Sequence, residues 1–170
     1  LREMEFNRLL SNAISNSGEL KLESKLPLLK KNKIDVKKYI TIKNQKDLNT
    51  WIKLAEEKGE FTIDTETNSL NPHEAKLVGI SICIEEGMAC YIPLNHTEKF
   101  LKQSEVLKKL KPILEDKSTK KIGQNIKYDY IVFYHHGINL SSIEDTMLMS
   151  YTLDAGNNKH NLDSLAEIHL

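Results

Sequence analysis

Three runs rich in apolar and β-branched residues follow one another closely: EFTIDTET at 60–67, AKLVGISICIEE at 75–86 and MACYIPLN at 88–95. Turn-forming NSLNPHE separates the first two and EEG the last two. Both connections are too short for a parallel crossover, so an antiparallel meander of three strands is expected. That excludes an all-helical bundle. Downstream the period changes: SEVLKKLKPILED (104–116) reads as a helix, TKKIG (119–123) as a short strand and NIKYDYIVFYHHG (125–137) as a helix ended by Gly137. INLSSIEDTMLMSYTLD (138–154) reads as a strand followed by a helix. A meander followed by alternating α and β units implies an α/β mixed sheet with helices on its faces.

Upstream, YITIK (39–43) alternates like a strand. NQKDLNTWIKLAEEKG (44–59) reads as a helix with Asn44 as N-cap, Leu48, Trp51, Ile52 and Ala55 facing inward, and Gly59 as the stop. LREMEFNRLL has helical spacing, whereas residues 13–36 are small, polar and Lys-rich, the composition of a linker. The expected organisation is a helix stub at 1–12, a flexible linker at 13–36 and one domain over 37–170. The chain starts at Leu1 and stops inside the helical run DSLAEIHL, so a piece of a longer polypeptide is expected.

The composition bounds function only loosely. With 24 basic and 24 acidic side chains, any nucleic-acid affinity must come from local clusters and not from the bulk field. No apolar run is long enough to span a bilayer, and 28% charged residues suit a globular domain without membrane contact. Cys83 and Cys90 lack metal-type spacing and no secretory signal precedes them, so a reducing, cytoplasmic setting is expected.

The chemistry of the first strand is unusual at its end, where Asp64 and Glu66 follow the apolar alternation. Alternate residues of a strand share a face, which places these two carboxylates roughly 6 to 7 Å apart. Such a pair suits hard divalent ions such as Mg²⁺ or Mn²⁺, which take oxygen ligands and leave positions for phosphate. Taken alone, a D-x-E is more often a solvated strand end. A third acid, Asp129, falls in the first turn of the helix after TKKIG, where the helix dipole also favours a carboxylate.

Taken in order, FTIDTETNSL, GQNIKYD and HNLDSLAE resemble the first two motifs and the following helix of the 3′-to-5′ proofreading exonuclease domain of bacterial family A DNA polymerases, DNA polymerase I among them. That domain belongs to the DEDD exonuclease superfamily, with an RNase H-like fold. The resemblance runs from about Asp35 to Leu170 and takes in YITIKNQKDLNTWI, LVGISICIEEGMACYIPLNH and IEDTMLMSYTL. LREMEFNRLL in turn resembles the last helix of the 5′ nuclease domain that precedes the exonuclease in such polymerases.

The resemblance implies two divalent ions, Mg²⁺ or Mn²⁺, held by Asp64, Glu66 and Asp129 as catalytic ligands. It implies contacts to the single-stranded 3′ end of DNA from Thr67, Leu70, Gln124, Asn125 and Tyr128, with Leu70 wedged against the terminal bases. Lys159 stands where relatives commonly carry Arg near the substrate phosphates; Lys keeps the charge and loses the bidentate fork. Polymerase and 5′ nuclease domains would lie in the same parent chain, a monomer. The family's third motif, Tyr-x-x-x-Asp, supplies the last ligand and a Tyr that orients the attacking water. No Tyr of this chain has Asp four positions later, so the domain is expected to be incomplete at its C-terminal end and the fragment weak or inactive. A module that binds single strands or braces the polymerase without chemistry is the alternative, and an RNA-trimming enzyme in the manner of RNase D a third.

Other residues read more plainly. Asn125, taken by itself, is a helix N-cap, and Asp145 caps TMLMSYTL. His135 and His136 complement a helix C-terminus. Lys120 and Lys121 read as a solvated strand edge.

Overall fold

The computed structural model describes residues 8, 11, 12, 39–94, 101–156 and 159–169. The chain divides into two units, Leu1–Lys31 and Asn32–Leu170. In the first, Arg8, Ser11 and Asn12 are helical; the rest of the expected helix stub, and the linker at 13–36, lie outside the described residues.

In the second unit, β1 (Ile40–Thr41) leads into α1 (Gln45–Lys58), followed by the meander β2 (Glu60–Thr67), β3 (Leu77–Glu85) and β4 (Met88–Pro93). Then come α2 (Gln103–Glu115), β5 (Lys120–Gly123), α3 (Lys127–His135), β6 (Ile143–Asp145), α4 (Thr146–Asp154) and α5 (Leu162–His169). The six strands form one sheet in the order β1-β4-β3-β2-β5-β6. The meander is antiparallel, and β1, β5 and β6 join it in parallel. This is the mixed sheet of an RNase H-like α/β fold.

Local chemistry explains the elements. The Asn44 side chain accepts from the Asp47 N–H at 2.9 Å, which caps the first turn of α1 and is worth about 1 kcal/mol. Leu48, Trp51 and Ala55 turn one stripe of α1 into the core, with Ile52 half-buried beside them. Gly59 ends the helix at φ 76°, a conformation open to glycine without a Cβ clash.

Cross-strand register divides the sheet into two faces. One carries Phe61 and Ile63 of β2, Ile80 and Ile82 of β3, and Cys90 and Ile92 of β4, all buried. With Leu48 and Trp51 of α1, Val106, Leu110 and Leu114 of α2, and Val132 and Phe133 of α3, they form one hydrophobic core. Each such side chain contributes about 1.5–3 kcal/mol on burial. The opposite face of β2 carries Thr62, Asp64 and Glu66, all exposed, with Ser81 and Gly79 of β3 as their cross-strand partners for the two acids.

Lys121 departs from the solvated edge that its sequence context suggests. It is 0% exposed, on the core side of β5, and its ammonium donates to the carbonyls of Ile113 (3.3 Å), Asp116 (2.6 Å) and Thr119 (2.6 Å). Loss of solvent pulls its pKa below the usual lysine range, partly offset by the Asp116 carboxylate. Lys120, by contrast, reaches Glu144 of β6 at 3.0 Å, in a half-exposed pair.

Candidate active site

β2 supplies two acids and one anchor. Asp64 and Glu66 stand on its open face, and Thr65 between them points to the buried side. From α3, Asp129 comes to that strand: its Oδ1 accepts from the Thr65 N–H at 2.8 Å and from Thr65 Oγ1 at 2.5 Å. Asp129 is 2% exposed, so its carboxyl is set by the fold. Thr65 carries no signal of this role in the sequence, where it reads as an ordinary β-branched strand residue.

The acids feel one another. Partial desolvation first, then the Glu66 charge, raises the Asp64 carboxyl above the usual range. Burial pushes Asp129 up to about 6; the Thr65 hydrogen bonds pull it down and the Asp64 charge adds to the rise. A divalent cation beside Asp64 and Asp129 would favour their ionised forms. Among the described residues no three His, Cys, Asp or Glu side chains are grouped as a metal site. The donor chemistry nonetheless fits hard divalent ions: oxygen ligands, Asp64 and Asp129 carboxyls raised above their ordinary range, and one Asp129 oxygen held by Thr65.

A cleft of about 470 Å³ adjoins the acids, lined by Thr65, Glu66, Thr67, Asn68, Ser69, Leu70 and Tyr128. Its wall is braced by Tyr128 of α3, whose hydroxyl bonds Thr67 Oγ1 and donates to the Ser69 carbonyl. The loop from Asn68 to Lys76 closes on itself, with the Lys76 N–H donating to Asn68 Oδ1 at 2.7 Å and the Asn71 N–H to Ser69 Oγ at 3.1 Å. On this braced loop Leu70 is 97% exposed, an apolar side chain held in solvent beside the cleft. His73 of the same loop meets His135 of α3 at 3.3 Å between ring nitrogens.

The remaining residues singled out in the sequence are placed differently. Gln124, at the end of β5, has its amide engaged at both ends: Nε2 donates to the His160 carbonyl at 2.8 Å and Oε1 accepts from Thr146 Oγ1 at 2.5 Å. Asn125 is not the cap of α3. It is exposed, takes φ 55°, and Ile126 precedes the helix without a side-chain cap. Asparagine tolerates that left-handed turn better than most residues, and its N–H donates to Asp145 Oδ1 at 2.9 Å. The same Asp145 oxygen accepts from Met147 N–H at 2.9 Å, so Asp145 caps α4 as its context suggests. Lys159 is exposed next to buried His160, whose ring nitrogen lies 2.7 Å from Ser150 Oγ and whose ring centroid lies 3.8 Å from that of Tyr151, tilted by 33°.

Comparison with known proteins adds to this geometry. A family profile described as 3′-5′ exonuclease matches residues 39–170. The DNA polymerase I of Rhizobium leguminosarum is 37% identical over 150 residues, covering 76% of this chain and 15% of the relative. That of Pseudomonas aeruginosa is 35% identical over 172 residues, covering 97% of this chain and 18% of the relative. The chain therefore spans less than a fifth of the length of these curated relatives. Among solved structures, Brucella melitensis NrnC bound to pGG superposes with a TM-score of 0.59 at 23% identity, over 78% of this chain and 59% of that one. Escherichia coli RNase D gives 0.52 at 20% identity, over 66% and 28%. Both likenesses are of fold. With the strand acids, the α3 aspartate and a profile match that takes in the whole sheet, this chain belongs to the 3′-5′ exonuclease family.

Proposed function

We propose that this chain is the proofreading exonuclease region of a DNA polymerase I, removing nucleotides from single-stranded 3′ DNA ends. The reading rests chiefly on one observation: Asp64 and Glu66 share the open face of β2 while Asp129 is hung on Thr65 between them. Asp64, Glu66 and Asp129 would hold two divalent ions, Mg²⁺ or Mn²⁺. When bound, such ions lower the pKa of an attacking water and offset charge on the phosphate and the leaving 3′ oxygen.

The chain's own groups account for the rest. Thr65 fixes Asp129 Oδ1 and so orients the carboxylate as a ligand. Leu70 and Tyr128 border a cleft of nucleotide dimensions, with Thr67 in its wall. Stacking and apolar contact there would hold terminal bases without reading their sequence, at about 1 to 3 kcal/mol per stacked base. Asn125 and Lys159, both exposed, are available to the sugar-phosphate backbone. Gln124 would act by holding the segment that carries Lys159 as much as by touching DNA. The polymerase and 5′ nuclease domains of the parent, a cytoplasmic monomer, would supply and receive the primer end. A structure of Brucella melitensis NrnC with bound Mg²⁺ is consistent with a divalent cofactor on this fold.

The test is digestion of a 5′-labelled single-stranded DNA by this chain with Mg²⁺ or Mn²⁺, against a chelator and against Asp64→Ala. Loss of nucleotides from the 3′ end that requires both metal and Asp64 supports the assignment. In the intact parent, Asp64→Ala should abolish exonuclease and spare polymerisation; digestion that survives the substitution would sink the reading.

A further inference from the structure

Next to the two strand acids lies a phenol that the exonuclease reading leaves without a role. Tyr91 of β4 is directly opposite Ser81 of β3, and Ser81 is directly opposite Asp64 of β2. Residues paired across antiparallel strands share a face, so Tyr91 stands on the same half-open face as Asp64 and Glu66. It has two diagonal neighbours on β3, Gly79 and Cys83, and it leans toward Gly79. A Cβ built on Gly79 would lie 2.1 Å from the Tyr91 hydroxyl oxygen, 2.4 Å from Cζ and 2.5 Å from Cε2. The ring therefore occupies the space that any other residue at position 79 would fill.

Gly79 is in turn the cross-strand partner of Glu66. Paired Cβ positions are about 4.5–5.5 Å apart, so the phenol oxygen, beside the place a Gly79 Cβ would take, lies in the immediate neighbourhood of Glu66. The electrostatics agree: burial raises the Tyr91 hydroxyl above the usual phenol range, and the Glu66 charge raises it further. Two features of the strand pair thus serve one arrangement. A glycine in a strand interior costs packing and entropy, and here it opens the path by which a side chain two strands away reaches the acid.

We propose that Tyr91 is a positioning residue for Glu66: its hydroxyl, laid across Gly79, hydrogen-bonds the carboxylate and fixes the direction in which Glu66 offers an oxygen to a divalent ion. The inference deepens the exonuclease reading and rests on Glu66 being a ligand. Groups that hydrogen-bond a metal-binding carboxylate restrict its rotamers before the ion arrives, and their loss typically lowers metal affinity about 10- to 100-fold. Gly79 acts through the same phenol, because all three of the nearest atoms to its virtual Cβ belong to Tyr91.

The experiment is a Mn²⁺ titration of this chain, read by the loss of the free-ion electron paramagnetic resonance signal, with thermal unfolding of the metal-free protein alongside. The variants are Tyr91→Phe, Gly79→Ala, Tyr91→Ala and the Gly79→Ala, Tyr91→Ala pair, with Asp64→Ala as the metal-site control. Tyr91→Phe keeps the ring and removes only the hydroxyl. It should weaken Mn²⁺ about 10-fold while the metal-free melting temperature stays within a degree or two. Gly79→Ala should weaken it by a similar factor, and should add nothing further once Tyr91 is Ala. Wild-type affinity in Tyr91→Phe, or a full Gly79→Ala effect persisting in the Tyr91→Ala background, would overturn the inference and leave the carboxylate site standing. A wild-type chain that takes up no Mn²⁺, or takes it up equally with Asp64→Ala, would remove the metal reading itself.

Discussion

The two faces of β2 are built from the same eight residues and behave as different materials. On one side Phe61 and Ile63 are sealed in the core and Thr65 grips Asp129; on the other Thr62, Asp64 and Glu66 meet solvent. The buried side spends apolar area and hydrogen bonds on one arrangement. The open side sets two like charges side by side on the pleat. Rigidity and reactivity are thus separated by a single residue step along one strand, and Thr65 is the residue at which they meet.

That contrast can be tested from its strongest consequence downward. Ile63→Ala should destabilise the protein by about 2–5 kcal/mol in urea unfolding, since it opens a cavity in the core. Thr62→Ala, one position earlier on the open face, should stay within about 0.5 kcal/mol. Equal losses would abolish the distinction.

The next effect is one of pH. In the folded chain Asp129 is pushed up to about 6 from an ordinary 3.8, so between those values the native state binds the proton that the unfolded chain has released. The contribution of Asp129 to the stability of the metal-free protein should therefore be full below about pH 4 and fall as pH rises to about 6. At about 1.36 kcal/mol per pH unit the loss is roughly 3 kcal/mol. Asp129→Asn should flatten this part of the curve, as measured by denaturant midpoints across the range. Mg²⁺ should restore part of the loss at neutral pH by favouring the ionised form.

Thr65→Val sharpens the comparison at its boundary. It removes the hydroxyl donor to Asp129 and keeps the backbone N–H, so the carboxyl should titrate higher still and neutral-pH stability should fall by about 1–3 kcal/mol. Should Asp129 titrate unchanged by NMR in this variant, the grip of Thr65 is not electrostatic. The smallest effect belongs to the open side: Glu66→Gln should lower the raised Asp64 carboxyl toward its ordinary range, because the neighbouring charge is the second cause of that rise.

What the amino acids announce in advance, and what they conceal, follows the range of the forces involved. Helix α1 is legible because its signals are local: Asn44 accepts from a residue three positions on, Leu48, Trp51 and Ala55 recur at helical spacing, and Gly59 takes the left-handed turn. The meander is legible for the same reason, since a short connection leaves only the antiparallel choice. Asp145 as a cap belongs with these. Lys121 is hidden because its burial depends on carbonyls at the end of α2 and in the following turn, which only the folded chain brings around the ammonium. The Thr65–Asp129 link spans 64 positions and has no local signature. Asn125 shows the opposite failure, a polar residue before a helix that imitates a cap while it supplies a left-handed turn. The three acids could be listed from the sequence; that Thr65 holds Asp129 could not.

Lys121 has a further consequence, for how the sheet finds its alignment. Strand β5 is four residues long and pairs in parallel with β2 and β6 on either side. Short parallel pairings are slow to form and can slide. A shift of one residue would turn the Lys121 side chain to the other face, stripping three carbonyls of their donor. The buried ammonium thus acts as a register key for β5. Because Gln124 and α3 follow directly from that strand, the key also decides whether Asp129 arrives opposite Thr65 or one step away from it.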